Sequence, residues 1–297
     1  MPLSPDEIRT MQAKARELRC LMVDVTTWAG GAHIGGALSC TDLFTALYSK
    51  YLNVRPEEPQ WPDRDRFVLS KGHGGVGLAS VLADRGYFPK DLLHEFNHFK
   101  SPFGMHLDGN KVPGVDASTG SLGHGLSIAV GMAMGARYQG LPWLPYCLLG
   151  AGECNEGSVW EAAMAASPYH VTNLITIVDR NRFMIDGATE DVMSLEPLAE
   201  KWRAFGFEVK EIDGHDLAQI GAAIEDARAR AARPADTTAP AGSTTAGAAP
   251  ALKPTVIIAH TVKGKGVDFM ENNVKWPYGS LDSELAAKAK ASIQRAA

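Results

Sequence analysis

Pro145-Tyr146-Cys147-Leu148-Leu149-Gly150-Ala151-Gly152-Glu153-Cys154-Asn155-Glu156-Gly157 is the stretch on which the fold turns. A continuous apolar run of strand length, Pro145 to Leu149, stops at glycines, and a helical pattern follows from about Val159 to Ala166. The next run, Leu174-Ile175-Thr176-Ile177-Val178, is again apolar throughout and ends in Asp179-Arg180-Asn181. Strands of this kind, alternating with helices, are buried on both faces. They predict an α/β fold with a mostly parallel sheet and helices on both sides.

The pattern extends in both directions. Ser4-Pro5-Asp6-Glu7 has a capping serine, a proline at the first helical position and a glutamate three after the cap, which predicts a helix to about Thr26. A second helix is expected over 38–51, a strand over 66–70 that breaks at Lys71-Gly72-His73, and helices over 77–85 and 126–138. Beyond Asn181, helix 196–205, strand 207–212, helix 217–231 and strand 255–259 complete the series. Residues 231–254 differ: 20 of these 24 are Ala, Pro, Thr, Gly or Ser. Such a stretch buries too little apolar surface to offset its ordering entropy. It is expected to be a disordered insertion within one domain spanning 1–297. No internal repeat is apparent.

Composition narrows the class. The 297 residues carry 34 acidic and 29 basic side chains, a net charge of −5, with no clustered basic face to suggest a nucleic acid or an anionic membrane as partner. No apolar run approaches the roughly 18 residues of a membrane span. Cys20, Cys40, Cys147 and Cys154 form no CxxC pair and read as reduced thiols, so a cytoplasmic protein is expected. The 30 glycines gather in short runs, several containing histidine, as loops converging on a polar ligand would. Parallel sheets bind ligands beyond the carboxyl ends of their strands. A glycine-rich strand end that feeds a helix N-terminus suits a diphosphate. Asn181, 30 residues beyond Ala151, offers an amide oxygen to a bridging divalent cation.

At this point the chain resembles the thiamine-diphosphate enzymes of the transketolase family, in particular the N-terminal subunit of split transketolases. Gly150 to Asn181 corresponds to the family's Gly-Asp-Gly followed by Asn. Asp65-Arg66-Phe67-Val68-Leu69-Ser70-Lys71-Gly72-His73-Gly74 resembles a second family segment, and Pro113 to Asp116 with Ser118 to Gly125 a third. Further blocks match at Gly157 to Ala162, Ile185-Asp186-Gly187, Asp213-Gly214-His215-Asp216 and Ala259 to Asn273. The resemblance implies transfer of a two-carbon ketol unit from a ketose to an aldose with thiamine diphosphate and Mg²⁺ as cofactors. It places His33, His73 and His106 at catalytic positions near the reacting carbons, where a side chain titrating near neutral pH is useful. Met105 and Leu107 flank His106 where the family has Gly and Pro. Glu156 matches a glutamate linking the two active sites at the subunit interface, although an acid in a helix's first turn has its own electrostatic reason. Gly120, Leu122, His124, Gly150, Gly152, Glu153, Asn181 and His260 are the implied cofactor contacts; Asn181 and the Phe183 carbonyl are the implied metal ligands.

Two departures fall on the chemistry. Ala151 stands where the family has its metal-binding aspartate, which implies weakened or altered metal binding. Glu153 either supports the loop or partly replaces the lost ligand. Pro277-Tyr278 supplies no imidazole where the family reads Trp-His-Gly. Together they leave open a diverged C–C ligase or lyase subunit, or a non-catalytic partner. In the family a further domain activates the cofactor's aminopyrimidine ring and grips the sugar. This chain is therefore expected to need a separate C-terminal subunit, with pyrimidine-binding and C-terminal domains, in an α₂β₂ assembly acting on a sugar or sugar phosphate.

Overall fold

The computed structural model describes residues 2–233 and 252–295. Its strands are β1 (Arg66–Leu69), β2 (Pro145–Gly150), β3 (Ile175–Arg180), β4 (Glu208–Asp213) and β5 (Thr255–His260). They form one sheet in the order β1-β2-β3-β5-β4, and every neighbouring pair is parallel. The helices are α1 (Pro5–Trp28), α2 (Ile34–Ser39), α3 (Thr41–Ala46), α4 (Gly75–Arg85), α5 (His124–Gln139), α6 (Gly157–Ala166), α7 (Thr189–Val192), α8 (Leu198–Ala204), α9 (Leu217–Ala231) and α10 (Ser283–Arg295). The composition-biased stretch falls mostly at 234–251, outside the described residues.

Alternation along the strands sorts the core onto two faces. Phe67, Tyr146, Leu148, Ile175, Ile177 and Ile257 point to the side packed by α1–α4, α9 and α10. Val68, Cys147, Leu149, Val178, Val256 and Ile258 point to the side of α5, α6 and α8. A period of two in a strand covered on both sides gives this partition, and it explains the continuous apolar runs. The same alternation sends Asp179 and Arg180 to opposite faces at the end of β3. Arg180, buried, donates to Thr189, Glu190 and Glu196 and so ties down the segment beside α7.

The start of α1 has the expected capping box: the Glu7 N–H donates to Ser4 Oγ, and the Ser4 N–H donates to the Glu7 carboxylate at 2.8 Å. Two features differ from the pattern-based expectation. Residues 38–51 form no single helix. The helix starts earlier, at Ile34, breaks at Cys40, resumes as α3 and ends in a π turn over Leu47–Tyr51. Gly35 and Gly36 read as loop residues, yet both are helical, and at Gly35 neighbouring backbone packs where a side chain would stand. A Cβ on Gly35 would lie 2.3 Å from the Trp276 carbonyl oxygen.

The second difference is α10, which the expected series ending at strand 255–259 does not include, although its sequence is amphipathic at helical spacing. It lies against α1 with Ala286, Ala289 and Ile293 buried. Burying Ile293 contributes roughly 1.5–3 kcal/mol. The partly exposed Lys290–Asp24 pair at 2.7 Å adds about 0–1 kcal/mol, so packing holds this helix.

Candidate active site

Register places Gly150, Asp179 and Ala259 side by side at the carboxyl ends of β2, β3 and β5. The segments just beyond, with the one leaving β1 at Lys71, surround a cavity of about 550 Å³. His33, His73, His106, Glu156, Gly120, Leu122, Gly150, Gly152, Glu153, Asn181 and Phe183 all line it, as does Ala151. The cavity lining does not include His124 or His260. His124 is exposed at the first residue of α5, and His260 Nε2 meets the Glu211 carboxylate at 3.2 Å.

A buried ion pair underlies the floor. Lys71 Nζ donates to Asp179 Oδ2 at 2.5 Å and to the Gly36 carbonyl at 2.7 Å. Asp179 also accepts from Ser39 Oγ at 2.6 Å, from Thr261 Oγ1, and from Asn181 Nδ2 at 3.1 Å. Burial works against both charges. The attraction between them outweighs it, holding Lys71 above and Asp179 below their ordinary pKa values. Three segments distant in sequence, at Ser39, Lys71 and Thr261, are thereby fixed to one carboxylate.

The histidines meet above this floor. The His33 ring lies 5.5 Å from that of His73 and 6.4 Å from that of His106. Burial, with the nearby Lys71 charge and His33, pushes His73 down to about 3. His33 is also lowered, chiefly by burial, against a hydrogen bond to the Pro277 carbonyl that favours its protonated form. Both are therefore neutral at physiological pH, able to accept a proton. His106 is exposed, and its ring packs over Gly120. The Tyr278 ring stands 5.2 Å from His33, edge to face, where the family pattern has an imidazole. Its segment is clamped by paired hydrogen bonds between Ala32 and Gly279, both 3.0 Å.

Glu153 does not present a free carboxylate. One oxygen accepts from Ser70 Oγ at 2.5 Å and the Gly123 N–H at 2.9 Å; the other accepts from the Gly150 N–H at 2.8 Å. Burial raises its pKa against these bonds. It therefore ties together three loops at the cavity edge. The Asn181 Oδ1 accepts the Phe183 N–H at 3.1 Å, and Ala151 is packed into the apolar cluster with Cys147 and Cys154. Among the described residues no group of three or more His, Cys, Asp or Glu is placed to hold a metal ion.

Two basic residues sit inside family-like blocks whose sequence does not show what surrounds their charges. Lys71 lies inside a family-like motif, but its burial against Asp179 needs a partner 108 residues away. Lys263, in the matching block after β5, lines the cavity with Nζ 3.2 Å from the Met184 carbonyl. Burial and then the Lys71 charge lower its pKa to about 8. The chemistry on offer is a glycine-lined pocket with the Lys263 ammonium for an anionic tail, beside Leu122, Met184, Ile185 and Met193 and the neutral imidazoles of His33 and His73. These residues fit a diphosphate-bearing cofactor with an apolar ring. They do not fit a Mg²⁺ held by a carboxylate.

Comparison with known proteins agrees. A family model described as the thiamine diphosphate binding domain of transketolase matches residues 10–251. The 6-deoxy-6-sulfo-D-fructose transketolase subunit of Clostridium sp. (strain MSTE9) is 38% identical over 285 residues, 96% of each chain. An apulose-4-phosphate transketolase subunit of Phocaeicola vulgatus is 39% identical over 283 residues, 95% of this chain and 93% of that one. The crystal structure of transketolase from Campylobacter jejuni superposes with a TM-score of 0.84 at 31% identity, covering 97% of this chain and 43% of that one. The chain thus spans nearly the whole of those subunits but less than half of that full-length enzyme.

Proposed function

This chain belongs to the transketolase family through its thiamine diphosphate binding domain, and we propose that it is the N-terminal subunit of a two-component transketolase-like transferase. The observation that carries this reading is the convergence of His33, His73 and His106 on one cavity, lined also by Lys263, at the carboxyl ends of the parallel strands. Bound there, thiamine diphosphate would supply the nucleophilic carbon for breaking and making the C–C bond. Gly120, Leu122, Gly150, Gly152 and Asn181 are positioned to hold it, with Glu153 fixing the loops that carry them. The neutral rings of His33 and His73 suit proton transfer to and from a sugar's hydroxyl and carbonyl oxygens. Asn181 Oδ1 and the Phe183 carbonyl remain as oxygen donors to a metal, without an anionic ligand from position 151.

The named relatives are transketolase subunits whose names specify a sulfo-sugar and a sugar phosphate. A sugar or sugar phosphate is accordingly the substrate class proposed here. The same names support a partner subunit. In the reading proposed here it is a separate C-terminal subunit in an α₂β₂ assembly, with the exposed Glu156 near the interface. Among the described residues no helix is long and apolar enough to cross a membrane, and all four cysteines are free thiols, which suits a cytoplasmic enzyme. Ala151 and Tyr278 favour one second reading, a C–C ligase or lyase on the same scaffold.

An assay of ketol transfer, after co-expression with the partner chain, tests the proposal. Transfer is expected, and alanine at His33 or His73 should slow it by about 10²–10⁴-fold, the usual range for losing a proton-transfer group. Cleavage of the donor without transfer to an aldose would support the second reading. No reaction, with a complete diphosphate site on the partner, would make this chain a non-catalytic subunit.

A further inference from the structure

Four basic side chains are buried among the described residues: Arg19, Lys71, Arg180 and Lys263. Three face carboxylates, Asp42, Asp179, and the pair Glu190 and Glu196. Lys263 is 5% exposed, lines the cavity and makes its hydrogen bond to the uncharged Met184 carbonyl. A desolvated ammonium without a counter-charge is costly unless an anion completes the site.

The segment that carries Lys263 is rigidly held. The Gly264 N–H donates to the Gly35 carbonyl and the Asn272 N–H to the Lys263 carbonyl, both at 2.9 Å. The Val262 N–H donates to His215 Nε2, also at 2.9 Å. Beside it, the position that carries a metal-binding carboxylate in the family pattern is a wall. Ala151 is 1% exposed in an apolar cluster, and its N–H is spent on the Asp179 carbonyl at 3.1 Å. The two nearest buried carboxylates are engaged, Asp179 with Lys71 and Glu153 with three donors.

We infer that this chain binds the diphosphate with the Lys263 ammonium as counter-cation, in place of a carboxylate-held divalent metal. The inference rests on the reading of the cavity as a diphosphate-cofactor site. An ammonium is a compact charge with three donors, and only one is used on Met184, so phosphate oxygens can take the others. Mg²⁺ by contrast is usually held through a protein carboxylate together with phosphate oxygens and water, and position 151 supplies no carboxylate.

Calorimetric titration with thiamine diphosphate and, separately, inorganic pyrophosphate tests this on the full chain, alone and with its partner subunit. Each titration is run in EDTA and in excess Mg²⁺. Binding of both in EDTA should match that in Mg²⁺ within about threefold, and Lys263→Met should weaken it by about tenfold or more, as loss of a charged hydrogen bond does. Thermal unfolding of Lys263→Met should be no lower than wild type, because the variant relieves an unpaired buried charge. Ala151→Asp should introduce a Mg²⁺ requirement into the Lys263→Met background. Wild-type binding that requires Mg²⁺, or Lys263→Met binding undiminished in EDTA, overturns the inference and leaves the cofactor reading in place. Pyrophosphate bound through Lys263 without any binding of thiamine diphosphate would overturn the cofactor reading instead. Failure of both ligands under all conditions would overturn both.

Discussion

His215 and Asp42, 173 residues apart, meet at 2.7 Å between Nδ1 and Oδ2. The other ring nitrogen accepts the Val262 N–H, so it carries no proton and the hydrogen sits on Nδ1, facing the carboxylate. Asp42 in turn receives two bonds from buried Arg19, at 2.6 and 3.2 Å. The chain Arg19–Asp42–His215–Val262 thus props the segment that bears Thr261 and Lys263. Replacing His215 by Phe strands a part-buried N–H and should cost about 1–3 kcal/mol. Asp42→Ala leaves Arg19 buried without its partner and should cost more, about 3–5 kcal/mol. Urea denaturation of the two variants gives the order, and pyrophosphate titration shows whether the prop acts on the site.

Lys71 and Asp179 carry a second test. Lys71→Met should destabilise the fold by about 3–5 kcal/mol, because the Asp179 charge is left uncompensated in the interior. Adding Asp179→Leu to that variant removes the stranded charge and should recover part of the loss. Equilibrium unfolding of the single and double variants measures the coupling. Additive losses would mean the pair is not coupled.

Burial of His73 makes stability depend on pH. The unfolded side chain titrates near 6.5 and the folded one at about 3. Between these values the unfolded state binds the extra proton. Stability should therefore fall as pH drops from 6.5 toward 3, by up to about 1.4 kcal/mol per pH unit from this group. Above 6.5 it contributes no slope. Lys71, Asp179, His33 and His106 surround it, and His73→Gln, which keeps a similar shape, should flatten the curve in that window.

Two glycines should respond with opposite sign. Gly35→Ala forces a Cβ to within 2.3 Å of the Trp276 backbone oxygen, which cannot swing aside as a side-chain tip would. A cost of about 1–3 kcal/mol is expected, with the 276–279 segment displaced and Pro277 drawn away from His33. Gly131, inside α5, has nothing within 4 Å of an added Cβ. Gly131→Ala should stabilise the chain by roughly 0.5–1 kcal/mol. Thermal unfolding distinguishes the two.

Strands β2, β3 and β5 were legible because a strand buried on both faces shows as a continuous apolar run within a few residues. The loops that follow them were legible from glycine and the polar residues at the strand ends. The docking of α10 was not, since α1, the helix it packs on, lies at the other end of the chain. Nor was the Gly35-Gly36 start of α2, where packing overrides glycine's poor helix propensity.

Within the site, Asn181 and the three histidines could be named from their motifs. The engagement of Glu153 with Ser70, Gly123 and Gly150 could not, because its partners come from other loops. The sequence alone established the α/β class, the family resemblance and the absence of a carboxylate at 151. The tertiary structure decided which charges are paired. Asp179 is spent on Lys71 whereas Lys263 faces the cavity uncompensated, because counter-charge is a property of what surrounds a group in space, and residues far apart in the chain supply it.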